Sequence, residues 1–300
     1  MSRTVYDCCM FLNENDLYEI RLNQHWNFVD KFIVLEAGQT HTGIPKPYRF
    51  DQERFKPYSS KLTYIQMDSI DEAMEKYPEL VDHPVVNNLL GPMHTKQDWL
   101  RDHFQFDYIA KILLEDFQAN SDDIVYISCL DEILRQESFE ECVKIIDQKT
   151  LTHIHNLDLM PILFFGMYLY AYKINLLHLD TATVGMVTQV GNFTKMLPSR
   201  IRHLGIPTHP VLMNAGWHFT FLDNTDGEMV LEKQRSWAHS KDVYPGKKTK
   251  FDHTTKEEAV ARFFEDYKPR LVNIGPGTHP QYLLDNLEKF QNLIYKEETK

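Results

Sequence analysis

TVYDCCMF at residues 4–11 and DKFIVLE at residues 30–36 are the two stretches that decide the fold. Both are short, apolar and rich in β-forming residues, as buried parallel strands are. Between them, residues 13–16 supply helix-capping side chains, and the segment from Leu17 continues at helical spacing. A strand, a helix and a strand within about 30 residues predict the opening βαβ unit of a parallel sheet.

Strand and helix patterns continue to alternate along the chain, so the predicted fold class is α/β, a mostly parallel sheet flanked by helices. We expect a single domain, with residues 1–250 carrying the site and residues 251–300 forming a helical extension. The predicted strands are 62–67, 122–128, 162–179 and 211–222, the predicted helices are 94–117, 139–148, 256–267 and 281–295, and residues 68–92 are expected to be irregular.

Composition narrows the classes of function. Hydrophobic residues make up 43% of the 300 residues and charged residues 25%, which is ordinary for a globular protein. The net charge of -11 argues against non-specific binding to nucleic acid or to anionic membranes. No segment approaches the run of about 20 apolar residues that a spanning helix needs, and the four cysteines show no metal-ligand spacing. We therefore expect a cytoplasmic protein.

The strand at 122–128 runs directly into carboxylates. Asp131 and Glu132 should lie at the carboxyl edge of the sheet, where open α/β sheets bind ligands. Because adjacent residues on an extended backbone point to opposite sides, we expect only one of the two to face a pocket. The alternative interpretation is a solvated strand end or a helix cap.

Two further patterns carry polar and aromatic groups. His94, Gln97, Arg101 and Gln105 lie along one face of the predicted helix 94–117, and Arg101 has the geometry to hold a diphosphate in two hydrogen bonds. Trp217-His218 and Trp237-His239 are aromatic–histidine pairs in sequence that is typical of strands. Aromatic faces stack on sugar C–H surfaces, but two core tryptophans would produce the same pattern.

These segments, in their order, resemble glycosyltransferase family 17, which includes the bisecting β-1,4-N-acetylglucosaminyltransferases. The similarity begins with Tyr6-Asp7-Cys8, Asn13-Glu14 and Glu36-Ala37. It continues through Trp99-Leu100-Arg101-Asp102, 127–133, Gly216-Trp217-His218 and Ser236-Trp237-Ala238-His239. The matches run from about residue 5 to residue 240 in the same order as in that family.

The resemblance implies a GT-A-type fold, UDP-N-acetylglucosamine as the donor, a glycan or glycoconjugate hydroxyl as the acceptor, and inversion at the anomeric carbon. Animal members are Golgi membrane proteins with an N-terminal anchor, which this chain lacks, so we expect a bacterial or viral version acting in a cytoplasm. We therefore do not assume that this chain uses the N-glycan mannose that is the acceptor of the animal enzymes.

The resemblance also implies a divalent cation, Mn²⁺ or Mg²⁺, at an Asp-x-Asp motif. Here Cys129 stands at the first acidic position, so we expect Asp131 and His239 to hold the ion more weakly, or Arg101 and Lys46 to carry more of the charge. Hard cations prefer oxygen ligands and can be held by one or two carboxylates plus substrate phosphates.

The predicted roles follow from this resemblance. Asp131, Glu132 and His218 are the predicted catalytic residues, and the general base is Glu132, Asp223 or Asp242. The predicted acceptor-binding residues are Trp217 and Trp237. Donor binding is assigned to Asp7, Glu36, Lys46 and Arg101.

Two other classes of function compete with glycosyl transfer. A metal-dependent hydrolase of nucleotide sugars would use similar carboxylates and histidines, with water as the nucleophile. The other class is a glycan- or nucleotide-binding protein with weakened catalysis, which Cys129 makes credible.

Overall fold

The computed structural model describes residues 3–81, 96–149, 151–154, 157–205, 211–238 and 255–296. Nine strands in these parts of the chain form one sheet in the order β3-β2-β1-β4-β9-β8-β10-β5, with β11 paired to β9. The strands are β1 Val5–Phe11, β2 Lys31–Ala37, β3 Leu62–Met67, β4 Ile124–Cys129, β5 Glu132–Leu134, β8 Leu163–Ala171, β9 Leu176–Gln189, β10 Val211–Thr220 and β11 Arg270–Leu271; β6 Thr152–Ile154 and β7 Leu157–Leu159 form a separate pair.

The sheet is mostly parallel, as the sequence predicts. Strands β1 to β4 are parallel to one another, whereas β9 runs antiparallel to both β4 and β8. Strand β10 is parallel to β8, and the edge strand β5 is antiparallel to β10. Seven of the nine strands therefore point in one direction, with β5 and β9 reversed, and the predicted α/β class, a mostly parallel sheet flanked by helices, is confirmed.

Helices cover the sheet. Two predictions differ from the structure. Within the segment that was expected to be irregular, Ser69 caps a helix by accepting a hydrogen bond from Glu72 N–H. The helix predicted for residues 281–295 ends at Asp285. The described helices are α1 Asn15–His25, α2 Gln52–Phe55, α3 Ile70–Lys76, α4 Lys96–Glu115, α5 Gln136–Asp147, α6 Pro198–Gly205, α7 Glu228–Ser236, α8 Lys256–Tyr267 and α9 Gln281–Asp285. None of them is both long and apolar enough to cross a membrane.

The two faces of the sheet have separate cores. Alternate side chains of β1 face opposite sides, so Cys8 packs with α4 on one face, and Cys9 packs with α1 on the other. The second core also contains Leu283 and Leu293, so the C-terminal segment packs against the central sheet. The predicted boundary at residue 250 lies outside the described residues.

A buried ionic network joins β1 to α1. Asp7 is 2% exposed, and it accepts hydrogen bonds from Nε of Arg21 at 3.1 Å and from Nδ1 of His25 at 2.6 Å. Burial by itself would raise the pKa of Asp7, but Arg21 and His25 together outweigh it and lower the pKa to about 2. Burial lowers the pKa of His25, so its neutral ring donates to Asp7 and accepts from Leu134 N–H at 3.0 Å.

The same arginine shapes the chain beyond β4. Nη1 of the fully buried Arg21 donates to the backbone oxygens of Cys129, Leu130 and Glu132 at 2.7, 3.1 and 3.0 Å. Its Nη2 donates to Ser128 Oγ at 2.9 Å. Arg21 therefore fixes a turn at residues 130–131, which connects β4 to β5.

Replacing Asp7 tests this network. We expect Asp7→Asn to lower the free energy of unfolding by about 3–5 kcal/mol at pH 7, because Arg21 stays buried without its carboxylate. Urea unfolding measures the change. The matched control is Asp147→Asn, which removes an exposed ion pair with Arg3 and should cost less than about 1 kcal/mol.

The lowered pKa of Asp7 also predicts how the free energy of unfolding changes with pH. The pKa of Asp7 is about 2 in the folded protein and about 3.9 in an unfolded chain, so its ionised form stabilises the fold above about pH 4. That contribution, on the order of 2–3 kcal/mol, is lost as the pH falls from about 4 to about 2. The stability difference between wild type and Asp7→Asn should shrink over this range, and a constant difference would contradict the prediction.

Candidate functional site

A cavity of about 320 Å³ lies at the carboxyl ends of β1, β2 and β4. Open α/β sheets bind ligands at this edge, so the cavity is the candidate active site. Strand ends, helix α4 and the segment around α7 contribute its walls. Its polar lining residues are Glu14, Gln39, Thr40, His41, Lys46, Asp102, His103, Gln105, Cys129, Asp131, Glu132, Ser199, Arg202, His218, Thr220, Lys233 and Ser236, and its aromatic lining residues are Phe11, Trp99, Phe106 and Trp237.

Both acidic residues after β4 line this cavity. The expectation that only one of them would do so is wrong, because the backbone turns at residues 130–131 and is not extended there. The Sγ atom of Cys129 and one carboxylate oxygen each of Asp131 and Glu132 lie within 4.8 Å of one another. We call these three residues the acidic turn.

Asp131 is paired with basic groups. Its Oδ2 lies 2.7 Å from Nζ of Lys233, and its Oδ1 lies 3.5 Å from Nε2 of His218. Lys233 also lies 3.4 Å from Glu14. Burial alone would raise the pKa of Asp131, but Lys233 and His218 outweigh it and hold the pKa well below its usual range. Asp131 is therefore ionised in the folded protein.

Arg202 occupies the other side of the acidic turn. Its Nη2 lies 3.4 Å from Oε1 of Glu132 and 3.7 Å from the sulfur of Cys129. Oε2 of Glu132 accepts a hydrogen bond from Cys129 N–H at 3.2 Å, which orients the carboxylate. Burial raises the pKa of the Cys129 thiol, so the thiol is protonated at neutral pH.

The acidic turn offers a hard cation two ligands. Asp131 Oδ1 is buried and accepts no hydrogen bond from the described residues, its ion-pair contact being His218 Nε2 at 3.5 Å, so this oxygen can still bind a divalent cation. Glu132 supplies a second oxygen. The protonated thiol of Cys129 is a poor ligand for Mn²⁺ or Mg²⁺. Asp131 and Glu132 therefore fit such an ion, with phosphate oxygens needed to complete its coordination.

Strand β10 places its predicted residues on opposite faces. His218 and Thr220 line the cavity, whereas Trp217 is 2% exposed and packs in the core on the other face with Ile133. The guanidinium of Arg135 lies 4.1 Å from the centre of the Trp217 ring. Only the histidine of this pair therefore faces the cavity.

The predicted donor-binding residues do not gather in one place. Asp7 belongs to the buried network with Arg21, and Arg101 pairs with Asp71 at 2.8 Å and donates to the backbone oxygen of His41 at 3.0 Å. Glu36 is fully buried and accepts from Lys46 Nζ, Arg49 N–H, Phe50 N–H and Tyr64 Oη at 2.7, 2.8, 3.1 and 2.7 Å. Of these four predicted residues, Lys46 lines the cavity.

The remaining predictions fall in three places. Trp237 lines the cavity, but it follows helix α7, so the strand-like interpretation of its segment is wrong. Asp223 is fully buried and accepts hydrogen bonds from Thr225 and Gly227, away from the lining. His94, His239 and Asp242 lie outside the described residues.

Sequence reasoning missed Lys233 and Arg202, the two basic residues that lie against the acidic turn. Lys233 lies in the same segment as Trp237, but it had no predicted role. Its second acidic partner, Glu14, lies in the quoted Asn13-Glu14 pair and also had none. Arg202 lies in α6, far from the acidic turn in sequence. No local pattern marks it, because its proximity to Glu132 depends on how α6 packs over the sheet.

The comparison with protein families decides the class of this site. The sequence profile described as Glycosyltransferase family 17 matches residues 1–261. The chain belongs to glycosyltransferase family 17. Family 17 membership confirms the resemblance seen in the sequence and gives the chain a role in glycosyl transfer. A search of curated protein sequences gives no match.

Three solved structures are similar to this family 17 chain at low identity, too low to indicate a function. A 4-diphosphocytidyl-2C-methyl-D-erythritol synthase is 12% identical, with a TM-score of 0.37, over 71% of this chain and 90% of its own. S. aureus TarS 1-349 is also 12% identical, with a TM-score of 0.37, over 87% and 70%. Mouse xyloside xylosyltransferase 1 in its apo form is 8% identical, with a TM-score of 0.29, over 66% and 70%.

Replacing Gly216 tests whether close pairing of β10 with β5 holds the acidic turn in place. A Cβ atom at this position would lie 2.1 Å from the backbone oxygen of Ile133, so β5 could not keep its place beside β10. We expect Gly216→Ala to lower the free energy of unfolding by about 1–3 kcal/mol and to speed amide exchange in β5. Gly275→Ala is the control, because a Cβ there meets nothing within 4 Å. Equal stability of the two variants would contradict this account.

Proposed function

We propose that the chain transfers N-acetylglucosamine, or a related sugar, from a UDP-sugar to an acceptor glycan hydroxyl with inversion, as in a β-1,4-N-acetylglucosaminyltransferase. The observation that carries this proposal is the ionised Asp131, paired with Lys233 at 2.7 Å in a cavity at the carboxyl edge of the sheet. A departing diphosphate needs positive charge at such an edge, and Lys233 and Arg202 supply it beside the acidic turn.

The reaction is a single in-line displacement. The acceptor oxygen forms a bond to the anomeric carbon as the bond from that carbon to the diphosphate oxygen breaks, and the diphosphate leaves with the electron pair. The proton of the acceptor hydroxyl goes to a carboxylate, for which we propose Glu132. The hydrogen bond from Cys129 N–H holds this carboxylate at the cavity wall. Catalysis comes from positioning and from fixed charges.

Mn²⁺ or Mg²⁺ would be held by Asp131 together with the donor's phosphate oxygens and would add positive charge there, while Glu132 stays uncoordinated to accept the proton. Family membership implies a nucleotide-sugar donor and a glycan acceptor, and UDP is our proposal for the nucleotide. His218 contacts Asp131 from β10 and is proposed to orient its carboxylate.

The acceptor is proposed to bind at the aromatic end of the cavity. Trp237 lines the cavity together with Trp99, and an indole face suits a sugar ring. Trp217 packs in the core instead, so we assign acceptor stacking to Trp237.

The decisive test uses UDP-N-acetylglucosamine with a panel of glycan acceptors. We expect acceptor-dependent release of UDP, and Asp131→Asn should lower the rate by about 100-fold or more, because Lys233 and any bound cation lose the carboxylate that holds their positive charge beside the leaving group. Asp285→Asn is the control, since this carboxylate is exposed on α9, and it should transfer sugar at the wild-type rate.

Three results would contradict the proposal or the role that it gives to Asp131. Rapid UDP release without any acceptor would favour a nucleotide-sugar hydrolase. Saturable UDP binding without turnover, in Mn²⁺ or Mg²⁺, would favour a binding protein. An unchanged rate in Asp131→Asn would remove Asp131 from the mechanism.

A further inference from the structure

We propose that Lys233 and Arg202 bind the donor's diphosphate directly, so that the chain binds the nucleotide without a divalent cation. This inference rests on the proposed function, and it identifies which residues neutralise the leaving group. The sequence pointed instead to Arg101 and Lys46 for this charge.

Those two residues are committed elsewhere. The Lys46 ammonium lies 2.7 Å from Glu36, and it also lies 3.5 and 3.4 Å from the backbone oxygens of Leu12 and Pro47. An ammonium has three donors, so Lys46 has one protein acceptor for each of them, whereas Lys233 has two acceptors among the described residues. Arg101 forms two hydrogen bonds with Asp71, at 2.8 and 2.9 Å, and is not among the described residues that line the cavity.

Lys233 and Arg202 both line the cavity, and their contacts with the described residues leave some of their N–H donors unused. Lys233 has one short contact, to Asp131 at 2.7 Å, and a looser one to Glu14 at 3.4 Å. The contacts of Arg202 with the acidic turn are long, at 3.4 to 3.7 Å, although a guanidinium has five N–H donors. The ring of Phe106 lies 4.7 Å from this guanidinium and supports its plane. A planar guanidinium of this kind suits bidentate binding of phosphate.

The two cations flank one small cluster. The ligand atoms of the acidic turn all lie within 4.8 Å of one another, with Lys233 against Asp131 and Arg202 against Glu132. A single diphosphate placed over the acidic turn can therefore contact both cations. The carboxylates keep the two side chains in place and charged before the nucleotide arrives, which lowers the entropy cost of binding.

Isothermal titration calorimetry with UDP and with uridine, in EDTA and in Mn²⁺, tests the proposal. We expect wild type to bind UDP in EDTA with a dissociation constant within about threefold of that in Mn²⁺. Lys233→Met and Arg202→Met should each weaken UDP binding in EDTA by about tenfold or more and leave uridine binding unchanged, because a charged phosphate contact is lost. Lys233→Arg should restore much of the affinity, and Lys144→Met, at an exposed lysine of α5, is the matched control.

Removal of Lys233 leaves Asp131 unpaired, so Lys233→Met/Asp131→Asn is the variant to use if the single variant unfolds. UDP binding by wild type only in Mn²⁺ would overturn this inference and leave the proposed function intact. Wild-type affinity in both Lys233→Met and Arg202→Met would also overturn it. A lack of UDP binding in every condition would overturn the proposed function, and this inference with it.

Discussion

The buried guanidinium of Arg21 is the group on which the site depends. It is bound by Asp7 from β1, and it donates to three backbone oxygens between Cys129 and Glu132. A buried charge is tolerated only when its partners satisfy it, so the network is stable only as a complete set. Because those backbone oxygens belong to the turn after β4, the network that satisfies Arg21 also sets the shape of the acidic turn.

The turn determines what the cavity contains. An extended chain would have sent Asp131 and Glu132 to opposite sides of the sheet, whereas the turn brings both to the same wall with Cys129. Two carboxyl groups so close together need cations nearby, because like charges repel each other. Lys233 and Arg202, from helices α7 and α6, meet that need.

This charge arrangement is consistent with transfer of a sugar from a nucleotide diphosphate. The cavity combines carboxylates, basic side chains and aromatic rings, the groups to which the proposed mechanism assigns the proton, the diphosphate and the sugar. These groups lie on different helices and strands or directly beside them, which limits their motion relative to one another. Asp7 and Glu36, which the sequence predicts to bind the donor, instead accept hydrogen bonds from neighbouring protein groups and stabilise the structure around the cavity.

Local patterns were enough to predict the α/β class, the βαβ opening, most element positions and the family, because hydrophobic periodicity and ordered motifs are local properties of the chain. They also identified Asp131, Glu132, His218 and Trp237, which line the cavity. Two features are visible only in the folded protein: Trp217 faces the core, and Arg202 lies against Glu132. The facing of a strand residue depends on register, and a contact between distant segments depends on packing, so neither can be read from local spacing.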